Sequence, residues 1–281
     1  MNQIMDGKSV ASIVRAKIKN EITEIETTGQ RPKLSVIIVG ENPASLYYVR
    51  SKQKFATEVG IESNTISLPI DVSERVLLDT IEELNDDTSV HGILVQLPLP
   101  EHIDEQAVIA AIDINKDVDG FHPAQVGRLS LGLKCLQPCT PAGIMELLKF
   151  YDVEIAGKNV VIVGRSNIVG KPIAQMLVAS DATVTITHSK TSNLADFTRN
   201  ADILVVAIGR PGFISAEMVK DGAVVIDVGI NRVNGKIVGD VDFDEVSKKS
   251  SFITPVPGGV GPMTIAMLLF NTLSAFKNMS S

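Results

Sequence analysis

The chain has 281 residues, 44% of them hydrophobic and 21% charged, with a net charge of −7. That balance excludes collagen, coiled coil and low-complexity disorder, and the length suits one large domain or two ordinary ones. The acidic excess argues against a nucleic-acid surface, which needs a concentrated basic face, and no apolar run reaches the ~18–20 residues that span a bilayer.

The segment Met1-Asn2-Gln3-Ile4-Met5-Asp6-Gly7 lacks the basic-then-apolar order of a signal peptide, so a cytoplasmic protein is expected. Short β-branched runs then alternate with helical stretches. Strands are expected at 34–39, 65–68, 92–96, 159–163, 182–187, 203–208 and 224–228. Most are continuously apolar, the pattern of parallel strands covered on both faces. Helices between them make a βαβ grammar with right-handed crossovers. Asn42-Pro43 caps a helix that ends near Gly60, and Thr140-Pro141 opens one running to about Phe150. Gly261-Pro262 opens a last helix, apolar on most of its surface, which must pack on something. Residues 117–141 are rich in Gly, Pro and polar side chains and show no period, so a domain boundary is placed near 140.

The chemistry-bearing residues follow the same order. Tyr48 and Lys52 are i and i+4, so they share a helix face. Alone, the pair reads as a packed tyrosine beside a surface lysine. Gln96 ends an apolar strand, where it can point into a site or bond a loop. Asn115, Asp117, Asp119 and Gly120 mimic the start of a calcium loop, but Val126 stands where a bidentate Glu is needed. A carboxylate on that turn could instead accept two N–H groups of a guanidine-like ring edge. Cys135 and Cys139 are too few for a disulfide framework or a four-cysteine zinc site, and the four histidines show no metal-ligand spacing, so no metal is expected.

Gly164-Arg165-Ser166-Asn167-Ile168-Val169-Gly170 follows a strand and opens a helix. Such a turn brings amides and a helix N-terminus up to a phosphate, although the middle glycine of the usual fingerprint is absent. The next strand ends in His188-Ser189-Lys190, with no acid for a ribose hydroxyl. A cation in the turn and a hydroxyl beside it suit a 2′-phosphate, hence NADP rather than NAD. Pro257-Gly258-Gly259-Val260 is a stiff, side-chain-poor loop that lets backbone approach a flat ligand.

Read together, these segments resemble one family. They are S-x-x-Y-x-x-x-K from Ser45, V-Q-L-P-L-P from Val95, K-D-V-D-G from Lys116, P-C-T-P from Pro138, G-R-S-x-I-V-G-K-P from Gly164, H-S-K-T from His188 and P-G-G-V-G-P-M-T from Pro257. Their order is that of the bifunctional methylenetetrahydrofolate dehydrogenase/methenyltetrahydrofolate cyclohydrolase family. The resemblance implies NADP-dependent oxidation of 5,10-methylenetetrahydrofolate and hydrolysis of the methenyl product to 10-formyltetrahydrofolate. It implies Lys52 as the central residue of hydrolysis, Tyr48 stacked on the folate, Gln96 bonded to Lys52, and Asp119 on the pterin edge. Pro257, Gly258, Gly259 and Val260 would contact folate; Gly164, Arg165, Ser166, Ser189 and Ile230 would hold the dinucleotide. It further implies an α/β catalytic domain (1–140 plus 262–281), a doubly wound Rossmann-type NADP domain (141–261), a cleft between them and a homodimer. The substrates would be tetrahydrofolate one-carbon derivatives, polyglutamylated forms among them, with no nucleic-acid or membrane partner. Another two-domain NADP-dependent dehydrogenase, a non-enzymatic dinucleotide sensor and a dehydrogenase that has lost hydrolysis stand as alternatives.

Overall fold

The computed structural model describes residues 3–26 and 29–280; Met1 and Asn2, which head the N-terminal segment read above, and Ser281 lie outside the described residues. The chain divides into two compact units. The first is Ile13–Cys139 with Ile265–Ser281, and the second is Met1–Ser12 with Thr140–Thr264.

The chain opens with β1 (Gln3–Ile4) and α1 (Gly7–Glu26). In the first unit, β2 (Lys33–Val39), α2 (Pro43–Val59), β3 (Glu62–Leu68), α3 (Glu74–Asp86) and β4 (Gly92–Val95) follow. Their strands form a parallel sheet in the order β3-β2-β4. The apolar run of β2, interrupted only by the buried Ser35, becomes the central strand, buried from Leu34 to Val39, because a parallel strand between two others shows both faces to the core. β3 is the edge, three residues longer than expected, and it alternates in exposure. Ile37, Leu77, Ile81, Ile93 and Val108 form the core on one face.

The segment expected to be irregular contains helices. After α4 (Glu105–Ala111) comes α5 (Pro123–Ser130), with Pro123 in its first turn and His122 Nδ1 accepting the Ala124 amide at 3.1 Å. Eight residues are too few for apolar periodicity to show, so capping rather than pattern makes this helix.

The second unit takes α6 (Cys139–Phe150), then β5 (Asn159–Val163), α7 (Gly170–Val178), β6 (Thr183–Thr187), α8 (Leu194–Thr198), β7 (Ile203–Val206) and β8 (Val224–Asp227). A hairpin of β9 (Asn231–Val233) and β10 (Lys236–Val238), the short α9 (Phe243–Val246) and β11 (Phe252–Ile253) complete it. The parallel sheet runs β1-β11-β8-β7-β5-β6. Residues 3–12 therefore go with this unit and not with the first domain, where the sequence reading puts them. The reason is strand pairing: Gln3 and Ile4 add to the sheet opposite Phe252 and Ile253, and the Lys8 amide bonds Gly258 O at 3.1 Å.

The last helix, α10 (Val260–Met279), starts earlier than expected and belongs to the first unit from Ile265. There Phe276 meets the His91 ring edge-on at 4.8 Å, and Asn271 donates to the Val118 and Gln137 carbonyls at 2.8 Å each. The apolar helix thus covers the first unit, as its composition requires. Among the described residues no helix is long and apolar enough to cross a membrane.

Candidate active site

Lys52 is the anomaly from which the first unit's site is built. Ser45, Val49, Lys52, Ala56 and Val59 are the buried stripe of α2, at spacings of four, three, four and three. That is the inward face of an amphipathic helix with a lysine in its middle. Lys52 is 8% exposed, so it is not the surface lysine its sequence neighbourhood alone suggests. A buried ammonium or amine must be hydrogen-bonded. Its Nζ donates to Gln96 Oε1 at 3.0 Å. Gln96 is held in turn: its amide donates to Ile37 O at 2.8 Å, and its Nε2 to Leu97 O at 2.7 Å. That second bond turns the NH2 group toward Leu97 O and leaves the carbonyl oxygen facing the lysine. Tyr48, partly buried, lies one turn before Lys52 on α2, with the Tyr47 ring edge-on at 6.0 Å.

Asp119 feels the Lys52 charge and so belongs to the same site. Asp117 Oδ1 and Oδ2 accept the amides of Gly120 at 3.2 Å and His122 at 2.8 Å, which closes the turn that carries it. Gly120 has φ +74°, and a Cβ there would stand 2.7 Å from the backbone of Gln137 and Pro138. Burial pushes the Asp119 carboxyl up; the Lys52 charge and a hydrogen bond from Cys139 pull it back down. Lys52 and Asp119 are thus within electrostatic reach of one another, the lysine charge favouring the carboxylate. Burial also raises Asp117, to about 7, against its amide bonds. Cys139 is buried, its Sγ 3.2 Å from Val118 O, and burial raises its thiol well above the usual range. It is a packing thiol rather than a nucleophile.

In the second unit the dinucleotide candidates gather at the carboxyl ends of parallel strands, the usual ligand edge of such a sheet. Gly164 follows β5 with φ +126°, and a Cβ on it would overlap Ala207 O. A Cβ on Gly170 would overlap Gly164 O. Both glycines are needed for the turn to close. Arg165 and Ser166 are exposed on it. The Ser166 hydroxyl also caps α7, accepting the Val169 and Gly170 amides at 3.2 and 3.3 Å. Ser189 is exposed in the turn after β6, and Ile230 is exposed after β8. A turn bounded by two glycines at a helix N-terminus, a cation and a hydroxyl with no carboxylate between them fit a dinucleotide bearing a 2′-phosphate. Gly164→Ala is expected to cost about 1–3 kcal/mol of local strain and to weaken dinucleotide binding about tenfold or more, read by fluorescence titration.

The folate-loop candidates divide. Gly258 has φ +113° and its carbonyl accepts Lys8 N; Gly259 N donates to Pro255 O at 2.8 Å. Pro257 is exposed, whereas Gly258, Gly259 and Val260 are buried, with Val260 already the first residue of α10. Gly7 packs so closely on this loop that a Cβ would overlap Gly259 O. Nothing in the local sequence around Gly7 signals that.

A separate βαβ unit with a buried lysine bonded to a glutamine, and a parallel sheet with a glycine turn at its ligand edge, define a two-part α/β protein of the dinucleotide-binding class. Residues 5–119 match the family model described as the tetrahydrofolate dehydrogenase/cyclohydrolase catalytic domain, and residues 138–280 match the NAD(P)-binding domain of the same family. The chain belongs to the tetrahydrofolate dehydrogenase/cyclohydrolase family. A relative from Campylobacter hominis named "Bifunctional protein FolD" is 57% identical over 277 residues, covering 98% of each chain. The crystal structure of the bifunctional methylenetetrahydrofolate dehydrogenase/cyclohydrolase from Campylobacter jejuni is 52% identical, with a TM-score of 0.97 over 98% of this chain and 99% of that one. A Trypanosoma brucei methylenetetrahydrofolate dehydrogenase-cyclohydrolase, solved with NADP and an inhibitor, is 42% identical, with a TM-score of 0.95 over 99% of this chain and 98% of that one.

Proposed function

We infer that this chain oxidises 5,10-methylenetetrahydrofolate with NADP and hydrolyses the methenyl product to 10-formyltetrahydrofolate. The observation that carries this reading is the buried Lys52, held by Gln96 at 3.0 Å and facing the Asp119 charge, in a member of this family. The NADP turn supplies the hydride acceptor when loaded, and Gly164, Arg165, Ser166, Ser189 and Ile230 are the residues that would hold it.

Hydride leaves the one-carbon unit directly, so the redox step needs positioning more than acid–base catalysis. Tyr48 offers a flat face for the pterin beside Lys52. Asp119 accepts N–H groups from the pterin edge. The oxidised product is a cationic N–C–N unit, which a charged Lys52 would repel. In its amine form Lys52 takes a proton from the water that attacks the methenyl carbon, and Gln96 Oε1 holds that amine in line.

Asp119→Asn keeps the shape and removes the charge. It is expected to raise the folate KM at least about tenfold, the worth of one charge-assisted hydrogen bond, in both activities. The function itself is tested by mixing the protein with 5,10-methylenetetrahydrofolate and NADP, following reduced cofactor and methenyl absorbance together. Reduced NADP without lasting methenyl build-up is expected, with added methenyl substrate decaying faster than in buffer. No turnover by folded protein would overturn the reading. We place the enzyme in the cytoplasm as a homodimer that takes polyglutamylated folates; light scattering and KM values across glutamate chain lengths test the last two.

A further inference from the structure

The loops after β7 and β8 are tied to one side chain that the proposed chemistry does not use. Asp240 is fully buried. Its Oδ2 accepts the amides of Ile208 at 2.7 Å and Gly209 at 2.9 Å. Its Oδ1 accepts the Arg210 amide at 2.7 Å and Asn231 Nδ2 at 2.9 Å. Four N–H donors thus converge on one carboxylate, three of them consecutive backbone amides. Asn231 directly follows Ile230, so the same carboxylate grips both loops. The grip reaches the phosphate turn as well. Ala207, whose carbonyl leaves no room for a Cβ on Gly164, immediately precedes the loop that Asp240 holds.

A second buried acid braces the first. Asp227, at the end of β8, accepts the amides of Gly229 at 2.9 Å and of Asp240 and Val241 at 3.0 Å each. Gly229 and Gly239 have no space for a Cβ because the carboxylates of Asp240 and Asp227 fill it. The two acids are interlocked through backbone, and among the described residues neither makes an ion pair with a cation. A buried carboxylate costs several kcal/mol to desolvate and persists only where fixed donors satisfy it. Here the donors are the loops at the ligand edge of the sheet.

We propose that Asp240 is a positioning residue for the dinucleotide: it sets the conformation of the 208–210 loop and of Ile230-Asn231, and thereby the affinity for NADP. The proposal rests on the NADP-binding reading above. An amide in place of the carboxylate must turn its NH2 toward at least one backbone N–H, so Asp240→Asn breaks the cradle while keeping its volume. Lost order in the loops then appears as lost cofactor affinity rather than lost hydrolysis, since Lys52, Gln96 and Asp119 lie in the other unit.

The test is the full-length D240N protein, assayed for NADP KM in the dehydrogenase reaction, for NADP binding by titration, and for hydrolysis of methenyltetrahydrofolate without NADP. A rise in NADP KM of about tenfold or more is expected, with hydrolysis within about twofold of wild type. Asn231→Ala, which removes one of the four donors, should move NADP KM in the same direction by about threefold, and it carries the test if D240N does not fold. NADP KM unchanged in the folded variants overturns the proposal. So does loss of hydrolysis in step with dehydrogenation, which marks general unfolding. A wild-type protein that hydrolyses the methenyl substrate yet shows no NADP binding would overturn the underlying cofactor reading instead.

Discussion

Replacing Lys52 by methionine is expected to remove the cyclohydrolase activity, by about 10³-fold or more, while the protein stays folded and keeps its affinity for NADP. Methionine matches the lysine stem in length and fills the same place on the buried stripe of α2. The packing against Val49, Ala56 and Val59 therefore survives. What goes is the amine, and with it the proton acceptor for the attacking water. Gln96 Oε1 is then left facing a thioether, a loss of one hydrogen bond worth about 1 kcal/mol, too little to unfold the unit. The measurement is the decay of methenyl absorbance above the buffer rate, with circular dichroism and NADP titration as controls. Retention of full hydrolysis would sink the assignment of Lys52.

The second large effect concerns stability. Lys116, in the same motif as Asp119, is only 3% exposed, and its ammonium serves no chemistry. It donates to the carbonyls of Leu84 at 3.0 Å, Asn85 at 2.6 Å and Asp87 at 2.8 Å. These are carbonyls at the C-terminus of α3, where backbone acceptors lack helical partners and the dipole is negative. Burial lowers the Lys116 pKa, with Asp113, Asp87 and Asp86 raising it in opposition. Lys116→Met should cost roughly 3 kcal/mol, from carbonyls stranded in a buried setting. That corresponds to a fall of about 6–12 °C in the unfolding midpoint of the unit, read by calorimetry. NADP affinity should hardly move. A melting curve superposable on wild type would show that water or neighbouring chain satisfies the helix end.

These two lysines show what a sequence can and cannot say. Both sit in recognisable motifs, one on a helix and one before a turn. Only the fold separates them. Lys52 falls on a helix face whose other members are apolar, and burial on that face could be suspected from its spacing. Lys116 points at the end of a helix some thirty residues earlier, and no local pattern reports such a partner. Asp227 and Asp240 repeat the point. Each is an acid in an apolar neighbourhood, which hints at a role. Which amides they hold depends on loops that come together only when β7 and β8 pair.

The architecture was more legible. β-branched runs broken by Asn-Pro, Thr-Pro and Gly-Pro starts were enough to place all three strands of one parallel sheet, four of the six in the other and the returning apolar helix, because local sterics and burial periodicity act within a few residues. The α5 helix was not legible, being too short to show a period. Nor was the entry of β1 into the second sheet, since two residues carry no pattern and their pairing with β11 lies some 250 residues away. Motif identity and order thus determined the family and named Lys52, Gln96, Asp119 and the glycine turn. Tertiary structure alone decided that Lys52 is buried, that Gly7 must lack a side chain, and that two acids fasten the loops after β7 and β8. Long-range contacts are fixed by global packing, and adjacent residues hold no record of it.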